Sequence, residues 1–178
     1  MFARTQRLTL RPGWPEDAAA LTAAIGYEAV ARMTSRVPSP YALADAEAFL
    51  ALPARVDRPT CLVFAHDGEA PRLVGGVGLH DTDGEAEIGY WLTPDAWGRG
   101  YATEAARAVL GHAHDALGIR RVLGGHYADN PASGRVLGKL GFVMTGTVAD
   151  YPCQARGGPV AAVRYALELG ARALPLAA

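Results

Sequence analysis

The sequence predicts one mixed α/β (α+β) domain over residues 1–178, with a mostly antiparallel central sheet flanked by helices. Three observations predict it. A chain of 178 residues, 50% hydrophobic and 20% charged, can bury about two-thirds of its unfolded surface around one core. Between Cys61 and Thr93, short apolar runs alternate with Asp-Gly turns, which is the pattern of an antiparallel meander. After Thr93 the rhythm changes to strand, loop, helix and strand, and no repeat, linker or low-complexity stretch divides the chain.

The elements follow in order. Leu8-Thr9-Leu10-Arg11 alternates apolar with polar and stops at Pro12, a first strand. Residues 16–33 are rich in Ala, with Leu21, Ala24, Ile25 and Ala29 at helical spacing, which predicts one helix. Pro38-Ser39-Pro40 breaks the chain, and a short helix over 44–52 is closed by Pro53. The meander runs through strands at 61–66, 73–80 and 86–93, joined at Asp67-Gly68 and Asp83-Gly84. A loop from Pro94 to Gly100 leads into a helix over 101–117, with Ala102, Ala106, Val109, Ala113 and Leu117 on one face and Gly118 as C-cap. After a strand at 122–127, Asn130 and Pro131 open a helix as N-cap and first helical residue. Val136, Leu137 and Leu140 face inward, and the helix stops at Gly141, where Phe142 makes the apolar contact of a Schellman-type cap. Two strands, 142–148 and 160–169, complete the domain.

A formal net charge of -1 argues against nucleic acid as a partner, which selects for a basic face. The apolar runs are short and broken by Gly, Pro or charge, so no membrane span is expected. Met1 to Arg7 has no long apolar stretch behind it; no signal peptide is expected, and the cytoplasm is the default location. Cys61 and Cys153 are too few for a disulfide framework or a zinc site, and the histidines lack metal-binding spacing, so the metal expectation is none. His80 and His126 end strands and either line an acceptor pocket or are plain polar strand ends.

Chemistry concentrates in the loop before the 101–117 helix. The glycines of Trp97-Gly98-Arg99-Gly100 let the backbone bring several amides to one point, and the first N–H groups of the helix carry partial positive charge. That combination suits a phosphate, with Arg99 adding a formal charge; the bland alternative is a tight turn. A Rossmann fingerprint fails because Thr103 stands at its third glycine, and a Walker loop fails because Gly138-Lys139 is followed by Leu140.

Glu87-Ile88-Gly89-Tyr90-Trp91-Leu92 followed by Trp97-Gly98-Arg99-Gly100-Tyr101-Ala102-Thr103-Glu104-Ala105 closely resembles the acetyl-CoA motif of the GNAT N-acetyltransferases. The likeness is best to the branch of ribosomal-protein N-terminal acetyltransferases. Arg7 to Pro12 with Glu16-Asp17, Asn130-Pro131-Ala132-Ser133 with Lys139-Leu140-Gly141-Phe142, and Gly146 leading to Tyr165-Ala166-Leu167 agree in order and spacing. The resemblance implies a GNAT-type domain that takes acetyl-CoA as co-substrate and acetylates a primary amine, on a protein N-terminus or a small molecule. It implies that the backbone of Leu92 and Thr93 pairs with the pantetheine arm. The amides from Gly98 to Ala102 would hold the diphosphate, with Trp97, Tyr101 and Thr103 in the same motif. Asn130 and Ser133 would lie near the thioester, and Arg135 or Lys139 near the nucleotide phosphates. One departure is Asp95, where the wider family has Gln or Arg, so that backbone amides carry more of the anion contact. The same fold also serves as a non-catalytic acyl-CoA-binding module, and a homodimer is the default oligomer.

Amine acetylation needs a base for the amine and a proton for the leaving thiolate. Strand alternation puts Glu85, Glu87, Gly89 and Trp91 on one face, which makes Glu87 the candidate base, its pKa raised by partial burial. The alternative for Glu87 is a strand carboxylate paired with a nearby cation. The branch resemblance points to Ser133 as proton donor, with Tyr127 and Tyr151 as alternatives.

Overall fold

The computed structural model describes residues 1–170, so the last eight of the expected 1–178 domain lie outside the described residues. Its eight strands are β1 (Ala3–Arg4), β2 (Leu8–Arg11), β3 (Thr60–Ala65), β4 (Arg72–Thr82), β5 (Glu85–Leu92), β6 (Arg121–Tyr127), β7 (Val143–Cys153) and β8 (Gly158–Glu168). They form one sheet in the order β1-β2-β3-β4-β5-β6-β8-β7. Every adjacent pair is antiparallel except β5 and β6. The turn between β4 and β5 is the two-residue kind that Asp-Gly favours, with Asp83 at φ 51 and Gly84 at φ 84.

Helices cover both faces. On one lie α4 (Tyr101–Asp115) and α5 (Pro131–Leu140). Val109, Leu110 and Leu137 there are buried to within 1% against Val63, Val77 and Ile88 of the sheet. Each such side chain contributes roughly 1.5–3 kcal/mol on burial. On the other face, α1 (Ala18–Ile25), α2 (Glu28–Ala31) and α3 (Leu43–Leu50) set Leu21, Ile25, Val30 and Ala46 against Leu62, with Phe64, Leu73 and Trp91 packed beside them. Strand alternation therefore sends Ile88 and Leu92 toward α4, and Trp91 toward α1 and α3.

The single helix expected over 16–33 is corrected. A 3-10 turn (Pro15–Asp17), α1 and α2 replace it. Gly26 ends α1 by donating its N–H to Thr22 O at 3.0 Å, and Tyr27 is extended at ψ 125 before α2 begins. Glycine in a helix interior costs about 1 kcal/mol against Ala, and the break lets Val30 and Ala31 turn into the core. The expected strand 142–148 is also corrected. β7 continues to Cys153, with Pro152 opposite Pro159; β7 is the sheet's outermost strand and Pro159 of β8 lies past Tyr127↔Ala162, the last rung to β6, so the missing proline N–H groups break no ladder. The two-residue β1 carries no readable pattern.

The second helical cap stands as expected. Asn130 Oδ1 accepts the Ser133 N–H at 3.3 Å, Pro131 is the first helical residue, and Gly141 closes the helix at φ 91. Phe142, 5% exposed, donates its N–H to Leu137 O.

Candidate active site

The sheet is incomplete at one place. β5 pairs with β4 along its whole length, from Thr82↔Glu85 to Gly75↔Leu92, but meets β6 only at Ala86↔Val122 and Glu87↔Leu123. Beyond those two rungs the parallel strands diverge, and the opening lies at their C-terminal ends, where α4 and α5 begin. Thr93 donates its N–H to Val74 O at 2.9 Å, which sets the phase of the ladder. Odd-numbered β5 residues turn their peptide groups to β4 and even-numbered ones to β6, so that past the last rung Tyr90 and Leu92 turn theirs into the gap. Of the two residues expected to pair with an inserted ligand, Leu92 thus offers its amide, and the Thr93 amide is already used. Trp97 does not face a ligand with its indole N–H, which donates to Leu92 O at 2.9 Å and ties the loop to the strand end.

The start of α4 forms the rim of this gap. Gly98 and Gly100 have φ of 74 and 82, the left-handed region that favours glycine, and no side chain caps the helix at Gly100. The first helical bond is Glu104 N to Gly100 O, and among the described residues the Tyr101, Ala102 and Thr103 amides have no hydrogen-bond partner. Three or more convergent N–H groups at the positive end of a 15-residue helix fit an anionic oxygen cluster. Arg7 locks the loop: Nη1 donates to Arg99 O at 2.9 Å, while Nε and Nη2 reach Glu104 Oε2 at 2.8 and 2.7 Å. Burial pushes the Glu104 carboxyl up, but the Thr5 hydroxyl and the Arg7 amide and guanidinium outweigh it and hold it below the usual range. The Arg99 guanidinium turns to Asp67 at 2.7 Å. Asp95 is held by Arg72 at 2.6 Å. Arg135 and Lys139 lie exposed on α5 without an ion pair among the described residues.

Across the gap, Tyr90 of β5 bonds to Ser133 of α5, hydroxyl to Oγ at 2.8 Å and to the carbonyl at 3.1 Å. Burial pushes this phenol up to about 12. Ser133 is therefore at the opening. Tyr127 is not. It is 4% exposed, its hydroxyl donates to Pro152 O, and burial with Cys153 nearby raises it far above a phenol's ordinary value. A phenol fixed on a carbonyl away from the gap is a poor proton donor.

Glu87 sits at the last rung on the face of α1–α3, 4% exposed. Arg164 of β8 grips it with Nη1 on Oε1 at 2.7 Å and Nη2 on Oε2 at 2.8 Å. Thr82 donates to Oε2 at 2.7 Å and Tyr151 to the same oxygen at 3.4 Å. Burial pushes the carboxyl up, as expected, but Arg164 and Thr82 outweigh it and the pKa is lowered. The expectation of a raised pKa is thereby corrected.

Arg164 reaches β5 by crossing β6 at Gly125, its cross-strand neighbour. A Cβ there would stand 2.7 Å from Arg164 Nη1 and 3.3 Å from Val163 O. Gly125→Ala is expected to push the guanidinium off Glu87 and to destabilise the fold by about 1–3 kcal/mol in urea unfolding.

Arg164, Tyr90 and Arg7 escaped the sequence reading. Tyr90 had a usable signal, since a tyrosine at an inward strand position needs a partner for its hydroxyl. Arg164 had none, because its contact depends on the β6–β8 register.

Comparison with known proteins gives the following. Residues 7–143 match the family described as the acetyltransferase (GNAT) domain. The uncharacterized N-acetyltransferase YoaA of Bacillus subtilis (strain 168) is 35% identical over 89 residues, 48% of this chain and 50% of that protein. The chain spans about half the length of the curated relatives it matches. A crystal structure of a GNAT-family acetyltransferase from Bacillus anthracis superposes with a TM-score of 0.79 at 23% identity, covering 94% of this chain and 98% of the other. RimL, a ribosomal L7/L12 alpha-N-protein acetyltransferase solved with coenzyme A, superposes with a TM-score of 0.80 at 20% identity, covering 97% and 100%. At such identities the two structures share the fold.

Proposed function

This chain belongs to the acetyltransferase (GNAT) family, and on that footing we propose that it transfers an acetyl group from acetyl-CoA to a primary amine by direct attack in a ternary complex. The observation that carries the reading is the gap itself: β5 leaves β6 after two rungs, and unpaired amides of β5 and of the α4 N-terminus line the opening. Acetyl-CoA has the two features these groups accept. Its pantetheine amides replace the missing rungs beside Tyr90 and Leu92, and its diphosphate takes the N–H groups from Gly98 to Thr103. Asn130 and Ser133 open α5 on the far side, and Arg135 or Lys139 meets the nucleotide phosphates. RimL, of the same fold, was solved with coenzyme A.

The amine enters from the α1–α3 face, where Glu87, Tyr151 and His80 lie. It belongs to a protein N-terminus, as RimL's name describes for that protein, or to a small molecule. Ser133 passes a proton to the departing thiolate. Ser133→Ala is expected to lower kcat about 10- to 100-fold with little change in acetyl-CoA affinity. Titration calorimetry with acetyl-CoA tests the coenzyme site, and thiol release with serine- and alanine-initiated peptides against small amines tests the acceptor. A folded chain that takes up no acetyl-CoA at millimolar concentration rules the reading out.

A further inference from the structure

We propose that His80, and not Glu87, takes the proton from the attacking amine, with Glu87 as its positioning residue; this rests on the acetyl-transfer reading above. Glu87 has little capacity left. Its two oxygens receive Arg164 twice, Thr82 and Tyr151, and its side chain is 5% exposed. His80 stands opposite it in the β4–β5 ladder, with a side chain 34% exposed and so within reach of a substrate.

The ring also leans the right way. A Cβ built on Gly89 would lie 3.5 Å from His80 Cε1 and 3.6 Å from Nδ1, so the imidazole rests over the residue that follows the last β5–β6 rung by two. Tyr90, whose peptide group turns into the gap, follows that residue directly. Nε2 faces Glu87 Oε2 at 3.8 Å. A carboxylate on that side favours the tautomer protonated at Nε2, and the Nδ1 lone pair is left for the amine.

Five charged or titratable groups bear on the ring. They are Glu87 on β5, Arg164 on β8, Arg36 after α2, Asp81 on β4, and Tyr151 on β7 through Glu87. Burial lowers the imidazole's pKa below 6.5; Glu87 and Asp81 oppose this, while Arg36 and Arg164 add to it. His80 is therefore neutral at pH 7 and able to accept a proton.

The balance is complete without further reactants. The neutral amine nitrogen forms a bond to the thioester carbonyl carbon, and His80 Nδ1 takes one proton from that nitrogen. The C–S bond breaks, the thiolate takes a proton through Ser133, and imidazolium and serine re-equilibrate with water. One amine proton leaves and one thiol proton is gained.

The test uses the full chain, saturating acetyl-CoA and glycinamide, a primary α-amine with a pKa near 8. Thiol release is followed against pH. For the wild type, kcat/KM falls below an apparent pKa under 6.5 more steeply than glycinamide ionisation alone requires, and the His80 ring resonance titrates in NMR at that same pH. His80→Gln lowers the rate on the order of 100-fold, removes the extra steepness, and leaves acetyl-CoA affinity within twofold. Glu87→Gln moves the extra limb to lower pH, because the carboxylate is what raises the ring's pKa. A His80→Gln chain with the wild-type rate, or one that is slow but keeps the limb, overturns the proposal, as does a kinetic limb that differs from the NMR titration. A wild type that binds acetyl-CoA but releases no thiol above background also overturns it while sparing the coenzyme site. Absence of acetyl-CoA binding sinks the proposed function itself.

Discussion

Arg164→Met is expected to destabilise the protein by about 3–5 kcal/mol, because it leaves the Glu87 carboxylate buried without its cation. The two side chains are 14% and 5% exposed, so solvent screens the pair weakly. Introducing Glu87→Gln into the same chain removes the stranded charge and is expected to return much of the loss, which a double-mutant cycle in urea resolves. The pH dependence has a definite sign. Glu87 titrates lower in the folded chain than its ordinary 4.5, so its contribution is fully present above pH 4.5 and is lost as the pH falls through the folded value. The stability curve of Arg164→Met is expected to be flatter across that acid range. Equal stability of Arg164→Met and the wild type at pH 7 contradicts the account.

Thr103→Glu is expected to weaken acetyl-CoA binding on the order of 100-fold while leaving the fold as stable or slightly more so. Residue 103 lies in the first turn of α4, where a carboxylate gains roughly 0.3–1 kcal/mol from the helix dipole. The same carboxylate, about 6 Å from a bound diphosphate, opposes it by about 3 kcal/mol at an effective dielectric constant near 20. Calorimetry and thermal unfolding should therefore move in opposite directions, and added salt should narrow the affinity gap. A helix weakened together with binding points to lost packing instead.

The parts of the fold written in local chemistry were legible. Asp83-Gly84, Asn130-Pro131 and Gly141-Phe142 each specify one backbone conformation, and each turn or cap stands where those residues put it. Gly26 was readable too, but a helical pattern of alanines on both sides masked it. What the sequence concealed depends on register. Glu87 was legible as a carboxylate on the same strand face as Trp91; its charge state was not, because the deciding partner, Arg164, lies 77 residues away and reaches it across Gly125. His80 was visible as a strand-end histidine, and only the β4–β5 ladder brings it opposite Glu87. The left-handed turns before α4 were legible in Gly98 and Gly100, whereas the turning of Arg99 toward Asp67 depends on the β3–β4 loop.

Among the described residues, two rungs are all the strand pairing between the five strands ending in β5 and the three beginning with β6. In the proposed complex, a pantetheine chain laid between them would act as a splint across a cracked board, adding the bonds that the polypeptide withholds. Occupancy then sets durability: at a hundredfold excess over Kd, the donor adds about 2.7 kcal/mol against unfolding. In the proposed complex, abundant acetyl-CoA would therefore also protect this protein against unfolding.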